Sequence, residues 1–212
     1  MATDGGTRSA LLVDWGGVLT TNLFTSFGAF CTDEGLAPET LALRFREDTE
    51  FRLLLIAFEE GRIEEAAFEE GFGGILGIPH ERLIDRLFAR VGPDPAMLAA
   101  VEAARAAGIR TGLVSNSWGT RRYDRAMLET LFDGVVISGE VGMRKPAPEM
   151  YRLGAERAGA PPEACVYVDD LPFNLPPAEQ LGMATVHHVD AAVTVPELER
   201  LLGVRLADEA TI

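Results

Sequence analysis

The 212-residue sequence predicts an α/β protein: a parallel sheet interrupted after its first strand by a helical cap. Two observations carry this. Short apolar runs alternate with helical patterns from about residue 95 onward, the signature of strands joined by crossover helices and covered on both faces. Between the first such run and the second lies a long stretch, about Thr20 to Val91, whose apolar residues recur at helical spacing only.

Residues 1–9 read as weakly ordered. Strand one is Ala10 to Asp14, apolar through Val13, and is followed by Trp15-Gly16-Gly17. In the insert, Phe51, Leu54, Leu55 and Phe58 form one stripe, and Leu83, Ile84, Leu87, Phe88 and Val91 another. A helix containing Ile63, Ala67 and Phe68 is expected between them, and Gly71 to Gly77 (GFGGILG) is expected to be a bend. The insert holds nine of the eleven phenylalanines, as a small helical bundle with an aromatic core would; one or two could also line a pocket. Gly92-Pro93-Asp94-Pro95 marks its end. A helix follows to about Ala107, stopped by Gly108. The later strands are expected at 110–115, 135–138, 165–169 and 184–188. Helices are expected around 123–132, 148–158, 177–181 and 196–202. The layout is a Rossmann-like core, 1–19 and 92–212, with a helical cap at 20–91.

Composition narrows the function. The hydrophobic share of 47% and charged share of 25% are those of a globular protein. A net charge of −14 repels phosphate backbones, so nucleic acid is not an expected partner. No apolar run approaches the ~20 residues of a membrane helix, and the first ten residues lack a signal-peptide core. Two cysteines, Cys31 and Cys165, give no disulfide framework, and a cytoplasmic location is expected. Oligomeric state is not legible. Of 19 basic residues, 18 are Arg; the single Lys is Lys145, which points to a place where a compact ammonium is needed.

Polar clusters sit at strand ends, where ligands of open α/β sheets bind. Asp14 ends strand one beside glycines that let backbone N–H groups approach an anion. Ser115-Asn116-Ser117 ends strand two, readable as an anion donor or as an ordinary turn. Lys145 lies in Gly142-Met143-Arg144-Lys145-Pro146-Ala147-Pro148, stiffened by its prolines. Asp169 and Asp170 end strand four, with Asn174 four places on. Adjacent buried carboxylates need a cation. With Asp14 they make an oxygen-only set suited to Mg²⁺.

The ordered set DWGGVL, SNS, GMRKPAPEMY and VYVDDLPFN resembles the haloacid dehalogenase-like hydrolase superfamily over nearly the whole chain. The resemblance implies strand order 3-2-1-4-5, a cap over the catalytic end, Mg²⁺ as cofactor and a small phosphorylated metabolite as substrate. It implies Asp14 as nucleophile forming an aspartyl-phosphate and Ser115 holding the phosphoryl group. Lys145 would pair nucleophile and phosphate. Asp170 becomes the principal metal ligand, Asp169 its acidic neighbour, and Asn174 a supporting polar residue. Gly16 would lend a backbone carbonyl to the metal, and N–H groups of Trp15 to Gly17 would contact the phosphate; Asn116 is a candidate phosphate or loop contact or a turn residue. One position departs: phosphatases of this superfamily usually carry an acid/base Asp two residues after the nucleophile, and here that residue is Gly16. Loss of such a group typically costs ~10²–10⁴ in rate. The departure leaves three readings: a substrate with a good leaving group, such as a sugar 1-phosphate or acyl phosphate; a proton donor from elsewhere; or a phospho-ligand-binding protein without turnover. A 2-haloacid dehalogenase is a further alternative, for which two metal-binding carboxylates would be surplus.

Trp15 and Trp118 are each expected to wall a pocket or to pack in the core. His80, His187 and His188 read as structural, Arg121 and Arg122 as an exposed helix start or as cations reaching an anionic substrate, and Cys165 as buried.

Overall fold

The computed structural model describes residues 8–206. Five parallel strands, β1 (Ala10–Val13), β2 (Arg110–Ser115), β3 (Gly134–Ile137), β4 (Cys165–Asp169) and β5 (Ala184–His187), form one sheet in the order β3-β2-β1-β4-β5. The sheet order and fold class are those the resemblance implied. β1 is central, in register with β2 (Leu12 beside Gly112) and with β4 (Leu12 beside Tyr167). All four of its residues are fully buried, which is why the run is apolar without alternation.

Helices α1 (Leu23–Asp33), α2 (Thr40–Glu47), α3 (Thr49–Glu59), α4 (Glu65–Leu76) and α5 (Leu83–Leu87) follow β1. α1 and α3 start at side-chain caps, Asn22 accepting from Thr25 N and Asp48 from Phe51 N. Their apolar faces converge on a cluster containing Phe27, Phe51, Phe58, Phe68 and Phe72. The chain leaves and re-enters the sheet domain side by side: Thr21 N donates to Gly92 O (2.8 Å) and Asp94 N to Leu19 O (2.9 Å).

α6 (Pro95–Ala106) and α11 (Ala191–Leu202) cover one face of the sheet, and α9 (Pro148–Ala158) with α10 (Leu175–Gln180) the other. α7 (Arg125–Leu131) and the single turn α8 (Ser138–Val141) flank β3. α6 and α9 each begin with Pro, which needs no amide partner there. No helix among the described residues is long and apolar enough to cross a membrane.

Several local expectations differ from the structure. GFGGILG is not a bend: Gly71 to Leu76 continue α4, and the helix stops at Gly77 in the left-handed conformation. The glycines serve packing, since a Cβ on Gly73 would lie 2.9 Å from His80 Cβ and one on Gly71 3.0 Å from Leu54. Burial of Phe72 and Leu76 outweighs the low helix propensity of glycine. Ile63 precedes α4 rather than joining it, and α5 ends before Phe88 and Val91. The last helix begins at Ala191, capped by Asp190, with Pro196 inside it rather than at its start. α10 likewise starts two residues before Pro177. Of residues 1–9, the first seven lie outside the described residues; Arg8 and Ser9 are anchored, donating from their backbone N to Leu201 O and Ala164 O.

Candidate active site

The sheet brings four separated loops to one edge. Asp14 follows β1 and is 7% exposed. Lys145, fully buried, places its Nζ 2.8 Å from Asp14 Oδ1 and 2.7 Å from Asp169 Oδ2. The lone lysine thus bridges two carboxylates that a sequence distance of 155 residues separates. Burial alone would lower its pKa, but Asp14 and Asp169 outweigh burial and raise it, so the ammonium is held charged. Its peptide bond to Pro146 is cis. Asn116 fixes the loop from the side, its Oδ1 accepting from Lys145 N (2.8 Å) and its Nδ2 donating to Lys145 O (3.1 Å).

Asp169, at the end of β4, is enclosed by donors. Its oxygens accept from Lys145 Nζ, Tyr167 Oη, Leu171 N (2.9 Å) and Asn174 Nδ2 (3.0 and 3.1 Å). Asp170 turns the other way, toward Gly17. A Cβ on Gly17 would lie 2.2 Å from Asp170 Oδ2, and Gly17 has φ +72°, so both space and backbone demand glycine. Burial, then Asp169, pushes the Asp170 carboxyl up to about 6. Burial pushes Asp14 up to about 8, against the lowering pull of Lys145.

Carboxylate oxygens of Asp14, Asp169 and Asp170 lie within 4.8 Å of one another. Three carboxylates less one ammonium leave a formal charge of −2, which a divalent cation matches. Asn174 adds a second sign: its Oδ1 is buried with no hydrogen-bond partner. Hard oxygen donors, unbalanced charge and an orphaned acceptor fit Mg²⁺.

Ser115 ends β2, 1% exposed, with its hydroxyl 2.9 Å from Tyr123 Oη. Two of the backbone N–H groups expected to face an anion have partners within the loop: Trp15 N donates to Asp14 Oδ1 (2.7 Å) and Gly17 N to Thr20 Oγ1 (3.0 Å). Gly16 faces the helical layer. A Cβ there would meet Leu23 Cδ1 at 2.7 Å, so leucine occupies the space a side chain at this position would enter.

Five residues that the sequence reading did not single out shape this edge. Tyr123 holds Ser115, Tyr167 holds Asp169, and Tyr151 Oη donates to Asn174 O (2.7 Å). Glu59, 4% exposed at the end of α3, pairs with Arg144 at 2.5 Å, next to Lys145. Burial pushes Glu59 up to about 7 in spite of Arg144. Two of these were legible in principle. Tyr167 shares a strand face with Asp169, two residues on, and Glu59 falls on the buried stripe of an otherwise amphipathic helix.

Both tryptophans do what was left open: they pack and they line a cavity. Trp15 meets Tyr123 edge-on at 5.5 Å, and Trp118 joins the helical aromatics Phe27, Phe45, Phe68, Phe72 and Phe88. Arg121 and Arg122 pair with Glu65 (2.6 Å) and Asp85 (2.8 Å) of the helical layer. His187 Nε2 lies 3.0 Å from Asp170 O, and buried His188 Nδ1 2.9 Å from Thr194 Oγ1. Leu83 N donates to His80 O just before α5. Cys165 is buried, which pushes its thiol up to about 11.

A strand-end carboxylate paired to a buried ammonium, beside a second acidic pair, defines a hydrolase-type centre on a parallel sheet. The haloacid dehalogenase-like hydrolase model matches residues 9–182, and the chain belongs to that family. It is 31% identical over 158 residues to the bifunctional epoxide hydrolase 2 of Sus scrofa, covering 71% of this chain but only 28% of that protein. It is 26% identical over 152 residues to the sesquiterpene phosphatase astK of Aspergillus oryzae, covering 69% of this chain and 78% of the relative. A haloacid dehalogenase family enzyme of Bacteroides thetaiotaomicron, solved in complex with magnesium and inorganic phosphate, superposes with a TM-score of 0.65 at 23% identity. That match covers 85% of this chain and 93% of the other.

Proposed function

We propose that the protein is a Mg²⁺-dependent phosphohydrolase of a small phosphorylated metabolite, with Asp14 as nucleophile and residues 20–91 as the cap over the site. The observation that carries this reading is the Asp14–Lys145–Asp169 bridge with Asp170 alongside: a cation fixed against the attacking carboxylate and a residual charge of −2 for a metal. Family membership and a relative named as a phosphatase support it.

In this reading Asp14 attacks phosphorus in line with the leaving group, giving an aspartyl-phosphate that water then hydrolyses. Lys145 holds the nucleophile's orientation and attracts the anionic phosphoryl oxygens. Ser115, oriented by Tyr123, donates to one of those oxygens. Asp169 acts through Lys145, because its own oxygens are taken by four partners. Asp14, Asp170 and the Gly16 carbonyl would hold Mg²⁺, which would supply charge neutralisation at the transferred group. With Leu23 filling the space beside Gly16, that position offers the leaving oxygen an apolar wall and no proton donor. A substrate whose leaving group needs little protonation, such as an acyl phosphate, follows.

The test is phosphate release across acyl, sugar 1-, aryl and alkyl phosphates, with and without EDTA, beside Asp14→Asn. Release that needs Mg²⁺ and Asp14 and falls as leaving-group basicity rises is the expected result. Binding without release from any ester would favour the ligand-binding alternative, and EDTA-insensitive loss of halide from 2-haloacids the dehalogenase one.

A further inference from the structure

Resting on the phosphohydrolase reading, we infer that the organic half of the substrate is apolar, at least the size of a substituted aromatic ring. A cavity of about 660 Å³ opens from Asp14, Ser115 and Lys145 into the helical layer. That volume falls in the range, about 300–1,000 Å³, of sites that enclose a drug-sized ligand. Away from the charged end its wall is built by Leu23, Phe27, Ile56, Phe88, Trp118 and Met127. Phe24 and Phe173 also line it and remain 45% and 58% exposed, leaving two aromatic rings in water beside the cavity.

The polar residues on this wall spend part of their hydrogen bonding within the protein. Arg52 donates to Arg46 O (2.7 Å) and Thr49 Oγ1 (3.0 Å), Arg144 pairs with Glu59, and Arg122 with Asp85. Arg122 Nε is buried without a partner and offers a single hydrogen bond. Most of the wall is aliphatic and aromatic, so a sugar's several hydroxyls would lose more water than they regain in partners there, whereas an apolar group loses nothing by entering. The charged end therefore recognises phosphate and the aromatic end selects what carries it.

The test holds leaving-group chemistry constant and varies apolar size. Para-alkylphenyl phosphates share nearly the same phenol acidity from methyl to octyl, and a para-glucosyloxyphenyl phosphate serves as the polar counterpart. The expected result is a rise in kcat/KM of about fourfold per methylene until the cavity is filled, with the glucosylated ester below the methyl member. Phe24→Ser, at an exposed position, is expected to flatten that slope. A flat or falling series with release intact overturns the apolar assignment and leaves the phosphohydrolase standing. If no ester is hydrolysed, acetyl and 4-nitrophenyl phosphate included, the phosphohydrolase reading falls instead. Tryptophan fluorescence titration with alkylphosphonates of increasing length then judges the cavity on its own: graded affinity supports the apolar assignment, and equal affinity overturns it.

Discussion

The two ends of the cavity are built on opposite physics. At the sheet edge, a few fully buried charges depend on one another, and each has a specific partner: Lys145 between Asp14 and Asp169, Tyr167 and Asn174 on Asp169, Asn116 on the lysine backbone. In the helical layer, aromatic rings pack by shape in many pairwise contacts, such as Phe58 on Phe68 at 4.3 Å and Phe51 on Phe72 at 4.8 Å. Removing a member of the first set leaves a buried charge without its partner. Removing a member of the second leaves a hole whose cost depends on how far its neighbours relax. The charged end is therefore intolerant of any chemical change, while the aromatic end tolerates changes that conserve volume.

Asp14→Asn probes the contrast hardest. It is nearly isosteric, so circular dichroism should show an intact fold while phosphate release falls by roughly 10⁴-fold or more. Lys145→Met removes the cation and leaves Asp14 and Asp169 facing each other. Urea unfolding should show a loss of about 3–5 kcal/mol, together with loss of release. Equal stability to the parent would show that the bridge contributes nothing to folding. Phe72→Ala, in the helical layer, should cost a similar 3–5 kcal/mol, but Phe72→Leu far less; if the two cost the same, packing is not what that region requires. Tyr167→Phe deletes one hydroxyl on the buried Asp169 carboxylate and should cost about 1.5–3 kcal/mol by the same measurement. The smallest effect expected is a gain. Gly16→Asp combined with Leu23→Ala opens the space that leucine fills. It should raise alkyl phosphate hydrolysis about tenfold, below the 10²–10⁴ of an evolved acid, and aryl phosphate hydrolysis less. Equal gains on both esters would remove the leaving-group account.

Candidate positions at strand tips were legible because a carboxylate or hydroxyl closing a buried apolar run lies where ligands of open α/β sheets bind, although a hydroxyl there also suits an ordinary turn. Asp14, Ser115, Asp169 and Asp170 follow that rule. Lys145 was legible by its singularity. The role of Asn116 was not, since a turn residue and a ligand contact look alike until the loop it holds is in place. Tyr123 and Arg144 carry no local signal of their own, and the partner of Arg144, Glu59, lies 85 residues away in the helical layer. GFGGILG misled because glycine reads as a breaker, whereas here it admits Leu54 and His80 against a helix.

The sequence alone determined the order of strands and helices, the interruption after β1 and the residues that supply charge. Each of these is written in local period or in a polar residue ending an apolar run. Only the tertiary structure decided that Lys145 bridges Asp14 to Asp169, that Leu23 fills the space beside Gly16, and that the helical aromatics open a cavity onto Asp14. Those are contacts between segments far apart in the chain, fixed by how the elements pack rather than by how each one forms.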